Sequence, residues 1–331
     1  MNKILYLIAS HTNPEQVVRL VKTIKIGSLD SQILIHHDYS SSYLNIADFE
    51  GLSNVRVIEN YVPVTWGDFS QVEMELNCIN WLMTHSIEFD WLVFLSGQDY
   101  PIKPLAEIEQ FLEKTRYDGF MEYFSAKEPP KEPTEYGLRW NKNTGVGRFF
   151  FHYYKLPSPK IIKSLIFRIG RIINGRQPLI TMIADRNGAR LGVRCFSTPF
   201  TSEFQCYAGS QWYTLSYRCI QYIHDFVQHH PGFVKHYQNT IIPDESFFQT
   251  ILINNIKLKI LNNNKRYIPW TNTSPIVLGI QDFDSLITSD KHFARKFDVN
   301  VDAQVLKRLD RYLSTNQEQL CSGSWSQEAK T

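Results

Sequence analysis

Lys3-Ile4-Leu5-Tyr6-Leu7-Ile8-Ala9-Ser10, followed at once by His11-Thr12-Asn13-Pro14, is the stretch on which the fold turns. The run is apolar without alternation, which suits a strand covered on both faces, and it is too short to span a membrane. The four residues after it form a turn signal. Asn13 is placed to cap a helix beginning at Pro14, with Gln16 in the capping-box position. Val17, Val18, Leu20, Val21 and Ile24 then recur at helical spacing and predict one buried face.

The same alternation continues downstream. Strands are predicted over 32–37, 55–59 and 91–95, with a long helix over 70–84 before the last of them. This succession argues for an α/β domain with a mostly parallel sheet and helices on both faces. Ligands of such sheets bind beyond the carboxyl ends of the strands. Here those ends carry Ser10 and His11, Asp38, Trp66, and the turn Ser96-Gly97-Gln98-Asp99. Polar residues after strands are ordinary turn chemistry. Four such ends, two with a carboxylate and one with a tryptophan, form a candidate nucleotide pocket in which Asp38 accepts hydrogen bonds and Trp66 supplies a flat wall. No glycine-rich fingerprint follows the first strand and no Walker sequence occurs, which disfavours NAD enzymes and P-loop kinases.

A chain of 331 residues with 43% hydrophobic and 21% charged residues can bury a large core, which excludes a disordered protein. The net charge of +2 conceals an uneven spread: positions 139–194 hold twelve Lys or Arg and a single acid, Asp185. An anionic or polar partner is expected against that region. Within it, Ile161, Ile162, Leu165, Ile166, Ile169, Ile172 and Ile173 fall on one side of a helix, and Lys160, Lys163, Arg168 and Arg171 on the other. Such a helix either roofs the core or makes peripheral contact with an anionic membrane. No nucleic-acid-binding module accompanies the charge, so no nucleic-acid partner is expected. Cys78, Cys195, Cys206, Cys219 and Cys321 show no CxxC pairing, which indicates neither a zinc site nor a disulfide framework and suits a reducing compartment.

Ile242-Pro243-Asp244-Glu245-Ser246-Phe247-Phe248 places two carboxylates in the expected first turn of a buried helix. Acids there complement the helix dipole; a general base is the other reading. Late in the chain, Arg295 and Lys296 stand between aromatics as a surface pair or as a cationic clamp for a diphosphate. Asp282-Phe283-Asp284 is a DxD, read here as a turn or helix cap because it lies late in the chain, away from the strand ends that hold the other candidates; as a metal site it would mark a metal-dependent transferase.

Four blocks together resemble the family of core-2/I-branching β-1,6-N-acetylglucosaminyltransferases and peptide O-xylosyltransferases. They are Ile35-His36-His37-Asp38 with Ser40 and Ser41; Leu95-Ser96-Gly97-Gln98-Asp99-Tyr100-Pro101-Ile102; Gly209-Ser210-Gln211-Trp212; and Asp244-Glu245-Ser246-Phe247-Phe248 with Phe293-Ala294-Arg295-Lys296-Phe297. The wording of the last block is closer to the xylosyltransferases. The resemblance implies a GT-A fold with a Rossmann-like sheet, and an inverting transfer from a UDP-sugar (xylose or N-acetylglucosamine) to a hydroxyl of a glycan or glycoconjugate, without a metal or other cofactor. Carried over by position, Glu245 is the catalytic base. Arg295 and Lys296, and more loosely Arg266, meet the diphosphate. Ser10, Asp38, Val64, Trp66, Asp99, Gln211 and Ser274 line the uridine and donor site, and Trp212 meets the acceptor. Gln211 stands where xylosyltransferases carry an acid, so the donor sugar stays open. A carbohydrate-binding protein that has lost turnover is the non-enzymatic alternative.

The expected layout is a nucleotide-sugar half over 1–124, a variable basic insertion facing acceptor or membrane over 125–202, a catalytic and acceptor half over 203–301, and a C-terminal helix and tail over 302–331. With no recognisable signal peptide or transmembrane run, a cytoplasmic place, peripheral to the inner membrane face, is the expectation.

Overall fold

The computed structural model describes residues 3–132, 140, 143–156, 170, 172, 178–185, 188–271 and 274–328. Strands β1 (Ile4–Ser10), β2 (Gln32–His37), β3 (Val55–Val57) and β4 (Trp91–Ser96) pair in parallel in the order β4-β1-β2-β3. Beyond β4 the sheet continues through Tyr213–Ser216, Gly119–Met121 and Ile260–Asn262, seven strands in all. Tyr213–Ser216 runs antiparallel to both its neighbours, while Ile260–Asn262 is again parallel to Gly119–Met121. This is the Rossmann-like α/β sheet of the expected GT-A fold, and one sheet carries strands from both sequence halves.

The unbroken apolar run of β1 has a simple cause. Leu5 and Leu7 enter one core with α2 (Ser70–Thr84) and the helices Tyr217–His229 and Phe247–Ile253. Ile4, Tyr6 and Ile8 enter the other with α1 (Pro14–Gly27), α3 (Leu105–Lys114) and the C-terminal helix Gln304–Glu328. Each such side chain contributes about 1.5–3 kcal/mol on burial, so a charge at any position from Ile4 to Ile8 would be costly on either face.

Three local expectations are corrected. Asn13 does not cap α1: it adopts a left-handed conformation with no side-chain cap and hydrogen-bonds Asp298. Gln16 forms no capping box. Its buried amide donates to the carbonyls of Gly97 and Phe297 and accepts from the Val299 N–H, tying α1 to two loops of the site. Asp244 and Glu245 lie in a 3-10 turn, Pro243–Glu245, ahead of the helix Phe247–Ile253 rather than in its first turn.

In the basic region, Phe151–Leu156, Gly188–Arg194 and Ile180–Asp185 form a three-stranded antiparallel sheet that the sequence reading did not anticipate. Its buried Arg190 and its Lys155 both pair with Asp68, at 2.6 and 3.0 Å, fastening this sheet to the loop before α2. The amphipathic helix expected at 160–173 lies outside the described residues apart from Gly170 and Ile172. No helix among the described residues is long and apolar enough to cross a membrane.

Candidate active site

A cavity of about 860 Å³ lies beyond the carboxyl ends of β1, β2 and β4, lined there by Ser10, His36, Asp38, Ser96 and Gly97. The reversed strand Tyr213–Ser216 explains why Gln211 and Trp212 join them. Running antiparallel, it begins at the edge where its neighbours end, so the turn before it arrives at the same rim. A small sheet of Tyr100–Pro101, Phe293–Ala294 and Arg266–Tyr267 completes the wall. Because Phe293–Ala294 pairs with the strand after the Gly97–Asp99 turn, Arg295 and Lys296 follow directly into the cavity.

At one end, β2 anchors the loop that carries Trp66. His36 Nε2 accepts from the Val62 N–H at 2.9 Å, and Asp38 Oδ2 accepts from the Val64 N–H at 2.9 Å. Burial lowers the His36 pKa to about 4, which keeps the ring neutral and able to accept. Burial opposes ionisation of Asp38, yet bonds from Ser40 and the Val64 N–H outweigh it and hold the carboxyl below its usual range. The observed work of Asp38 is therefore to rivet its own loop, a task the sequence reading did not include. Ser10 hydrogen-bonds His37 at 2.8 Å. Trp66 is 47% exposed on the cavity wall, beside Gly67, whose φ of +75° favours glycine. Val64, Gln211 and Ser274 also line the space.

The cationic end is built on Trp212. The Arg295 guanidinium lies over its indole at 4.0 Å, and the indole stacks on Phe94 with ring centroids 5.3 Å apart. Asp99 is fully buried beneath, pairing with Arg295 Nε at 3.6 Å and accepting from the Ser96 N–H. Burial raises the Asp99 pKa against the pull of Arg295, and lowers that of Arg295 against the pull of Asp99. Lys296 lies on the same wall, and its ammonium has no hydrogen-bond or carboxylate partner among the described residues.

The carboxylate end faces it. Glu245 is half-buried, and Arg148 Nη1 bonds its Oε2 while stacking over Trp140 at 4.4 Å. Asp244 is buried: its Oδ2 accepts from Gln71 Nε2 at 3.2 Å and its Oδ1 has no partner. Burial, then the neighbouring charge of Glu245, pushes the Asp244 pKa up to about 7. Gln71 also accepts from the Gly67 N–H, so one buried amide links the Trp66 loop to the acidic turn. Behind it, Ser246 Oγ donates to the Tyr207 carbonyl at 2.6 Å, and the Gly209 N–H donates to the Glu245 carbonyl at 2.9 Å. A Cβ on Gly209 would sit 1.9 Å from the Glu122 carbonyl oxygen, so only glycine permits this approach.

Three candidates acquire other roles. Asp99 does not line the cavity but acts through Arg295. Trp212 is 7% exposed and serves as the platform for Arg295 rather than as an open acceptor surface. Arg266 reaches the cavity wall, but its guanidinium donates to the carbonyls of Asn264, Phe94 and Tyr213 and lies over Phe293, clamping the ends of two sheet strands. Its Nη donors are thus turned to main-chain carbonyls and the Thr214 hydroxyl, while its buried Nε has no hydrogen-bond partner among the described residues, an arrangement no motif could reveal. Arg148, Gln71, Gln16 and His36 were missed as functional candidates. For Arg148 the only signal was membership of the basic stretch; His36 stood in a block of the resemblance without a role, Gln16 only in a capping-box position, and Gln71 gave no signal beyond a polar residue in an apolar pattern. Asp282 accepts from the Gly279 N–H at 2.8 Å in the turn capping the helix Phe283–Thr288, and neither carboxylate of the DxD lines the cavity.

The family model of the Core-2/I-Branching enzyme matches residues 6–171 and 177–286. Among curated proteins, Xylosyltransferase 2 of Homo sapiens is 25% identical over 339 residues, covering 94% of this chain and 34% of its own length. Xylosyltransferase 1 of Mus musculus is 25% identical over 309 residues, covering 85% and 28%. The chain thus spans about a third of the length of the curated relatives it matches. Among solved structures, a galactosyltransferase LgtC in complex with donor and acceptor sugar analogs aligns over 94% of this chain and 96% of that one, at 8% identity and a TM-score of 0.38.

Proposed function

This chain belongs to the Core-2/I-Branching enzyme family, and on that premise we propose that it is an inverting glycosyltransferase that moves a sugar from a UDP-sugar to an acceptor hydroxyl without a metal ion. One observation carries the reading: a single cavity holds a half-buried carboxylate, Glu245, and a cation with no partner among the described residues, Lys296, next to a gripped one, Arg295. Glu245 removes the proton of the acceptor hydroxyl, the oxygen attacks C1 of the sugar, and the bond from C1 to the diphosphate breaks on the opposite side. Negative charge then gathers on the leaving diphosphate, where Lys296 and Arg295 replace the divalent ion of metal-using enzymes. Arg148 occupies Oε2 of Glu245, which leaves Oε1 to meet the acceptor. Ser10, Asp38, Val64 and Trp66 form the nucleoside end, with Gln211 and Ser274 toward the donor. The names of the relatives favour a xylosyl donor; N-acetylglucosamine is the other candidate, and the acceptor is a glycan or glycoconjugate.

The test is a calorimetric titration of the protein with UDP in EDTA, repeated on Lys296→Ala. Binding that survives the chelator and weakens at least about tenfold in the variant is expected, since a charge-assisted contact is worth about 1.5–3 kcal/mol. Binding restored only by manganese would overturn the metal-free reading. A second reading makes Asp244 the base, favoured by its unpartnered Oδ1 and its raised pKa. It predicts that Glu245→Gln keeps turnover while Asp244→Asn loses it.

A further inference from the structure

Away from that cavity, His152, Cys195 and His236 bring one ligand atom each within 4.8 Å of one another. They come from three separate elements: His152 from the strand Phe151–Leu156, Cys195 from just after Gly188–Arg194, and His236 from the helix Pro231–Tyr237. We propose that these three side chains form a binding site for a zinc-class divalent cation, with the fourth position left to water or to a ligand entering from the adjoining cavity.

Two features of geometry support it. His152 Nε2 and His236 Nδ1 stand 3.3 Å apart. Two nitrogens bound at about 2.0 Å to a tetrahedral zinc ion lie about 3.3 Å from each other, so the imidazoles already have the required spacing. The second feature lies behind the ligand. His236 Nε2–H donates to the Phe149 carbonyl at 2.9 Å, which fixes the tautomer and turns the Nδ1 lone pair toward the cluster. The Cys195 N–H donates to the neighbouring Phe150 carbonyl at 2.9 Å, so adjacent residues position two of the three ligands. Both histidines line a cavity of about 890 Å³, which provides an entry path and shares no lining residue with the one that holds Glu245 and Lys296.

In the metal-free protein, His152 Nε2–H donates to His236 Nδ1. Binding the cation requires His152 to move its proton to Nδ1 and Cys195 to release its thiol proton to solvent, so one proton leaves per ion bound. The donor set of two imidazoles and one thiolate suits zinc or cobalt and is poor for magnesium or calcium. The ion would join the basic region's antiparallel sheet to the helix Pro231–Tyr237, reinforcing the bond from the Tyr153 N–H to the Asn239 carbonyl. CxxC spacing gave no warning because no two ligands are close in sequence.

The experiment uses the full chain, stripped with chelator and titrated with Zn²⁺ and then Co²⁺. One equivalent of zinc should bind and raise Tm, and cobalt should show a thiolate-to-metal charge-transfer band. Cys195→Ser should abolish that band, and His152→Ala should weaken zinc binding at least about tenfold. Both sites are partly exposed, and circular dichroism of the metal-free variants verifies that they fold. Substoichiometric uptake by the unaltered protein, or uptake unchanged in both variants, would overturn the site and leave a hydrogen-bonded histidine pair. UDP titration of the same stripped protein separates the two proposals, because loss of zinc should leave UDP affinity unchanged.

Discussion

The two ends of the cavity that holds Glu245 and Lys296 solve the same problem with opposite charges. At the cationic end, Arg295 is locked between Trp212 and Asp99 while Lys296 beside it has no partner among the described residues. At the carboxylate end, Asp244 is buried with a single amide donor, while Glu245 beside it is held by Arg148. Each end therefore sets two charge-bearing side chains side by side, and at the carboxylate end the buried Asp244 lies next to the more accessible Glu245. The difference lies in compensation. The partly buried Arg295 has a counter-ion in Asp99, whereas the buried Asp244 has none among the described residues and is pushed toward its neutral form by burial. On the proposed mechanism, a cation that awaits a diphosphate needs a fixed charge, and an acid beneath the proposed base is tolerated most easily when protonated.

The largest effect expected from breaking this comparison is on turnover. Glu245→Gln keeps the shape and the neighbouring Arg148 but removes the proposed base, so kcat should fall by about 10²–10⁴ while UDP affinity stays within about twofold. Steady-state kinetics paired with calorimetry checks both halves; a variant with ordinary kcat would transfer the role to Asp244.

Stability is the next readout, at the cationic end. Asp99→Asn strips the buried counter-ion from Arg295, and removing one partner of a buried pair costs about 3 kcal/mol. Urea denaturation should show that loss, whereas Lys296→Ala, with no partner to abandon, should leave the midpoint nearly unchanged. Equal losses in the two variants would erase the distinction between gripped and free cations.

The pH dependence of stability sharpens the contrast further. Asp244 has a folded pKa of about 7, raised above the ordinary 3.8, so its contribution is fully present below about pH 4 and is lost as pH rises through 7. The expected span is up to about 4 kcal/mol, and Asp244→Asn should remove this slope. His36, His236 and His292 act in the opposite sense. Burial lowers them to about 4, 4 and 3 from 6.5, so their contributions are present above pH 6.5 and lost as pH falls through the folded values. Thermal melts from pH 4 to 8 on the parent and Asp244→Asn should therefore diverge mainly on the alkaline side. Coincident curves there would mean that Asp244 is ionised in the folded protein.

The smallest predicted effect is at the nucleoside end, where neither charge operates. Trp66→Ala removes a half-exposed stacking wall and should weaken UDP by about 1–2 kcal/mol with little change in Tm. If Tm fell instead, Trp66 would belong to the packing of its loop rather than to the ligand.

Local pattern alone was enough to read β1 as a strand buried on both faces and α2 to its observed limits, because apolar periodicity records burial directly. The strand-end residues Ser10, Asp38 and Trp66 were legible for the same reason: in a parallel sheet the carboxyl ends converge, so their order in sequence implies their nearness in space. Motif resemblance singled out Glu245, Arg295 and Lys296. What each charged group is paired with could not be read. Arg148 is 97 residues from Glu245, and Asp99 is separated from Arg295 by most of the chain; the partners meet only once the reversed strand and the small sheet bring their loops together. Arg266 shows the limit most clearly, since an arginine near a phosphate site and one clamping strand carbonyls look identical in sequence. Sequence thus determined the layers, the strand ends and the residue types available to the site. Tertiary structure decided which charges are compensated and which are free, because compensation depends on distance and burial, and neither is a property of neighbours along the chain.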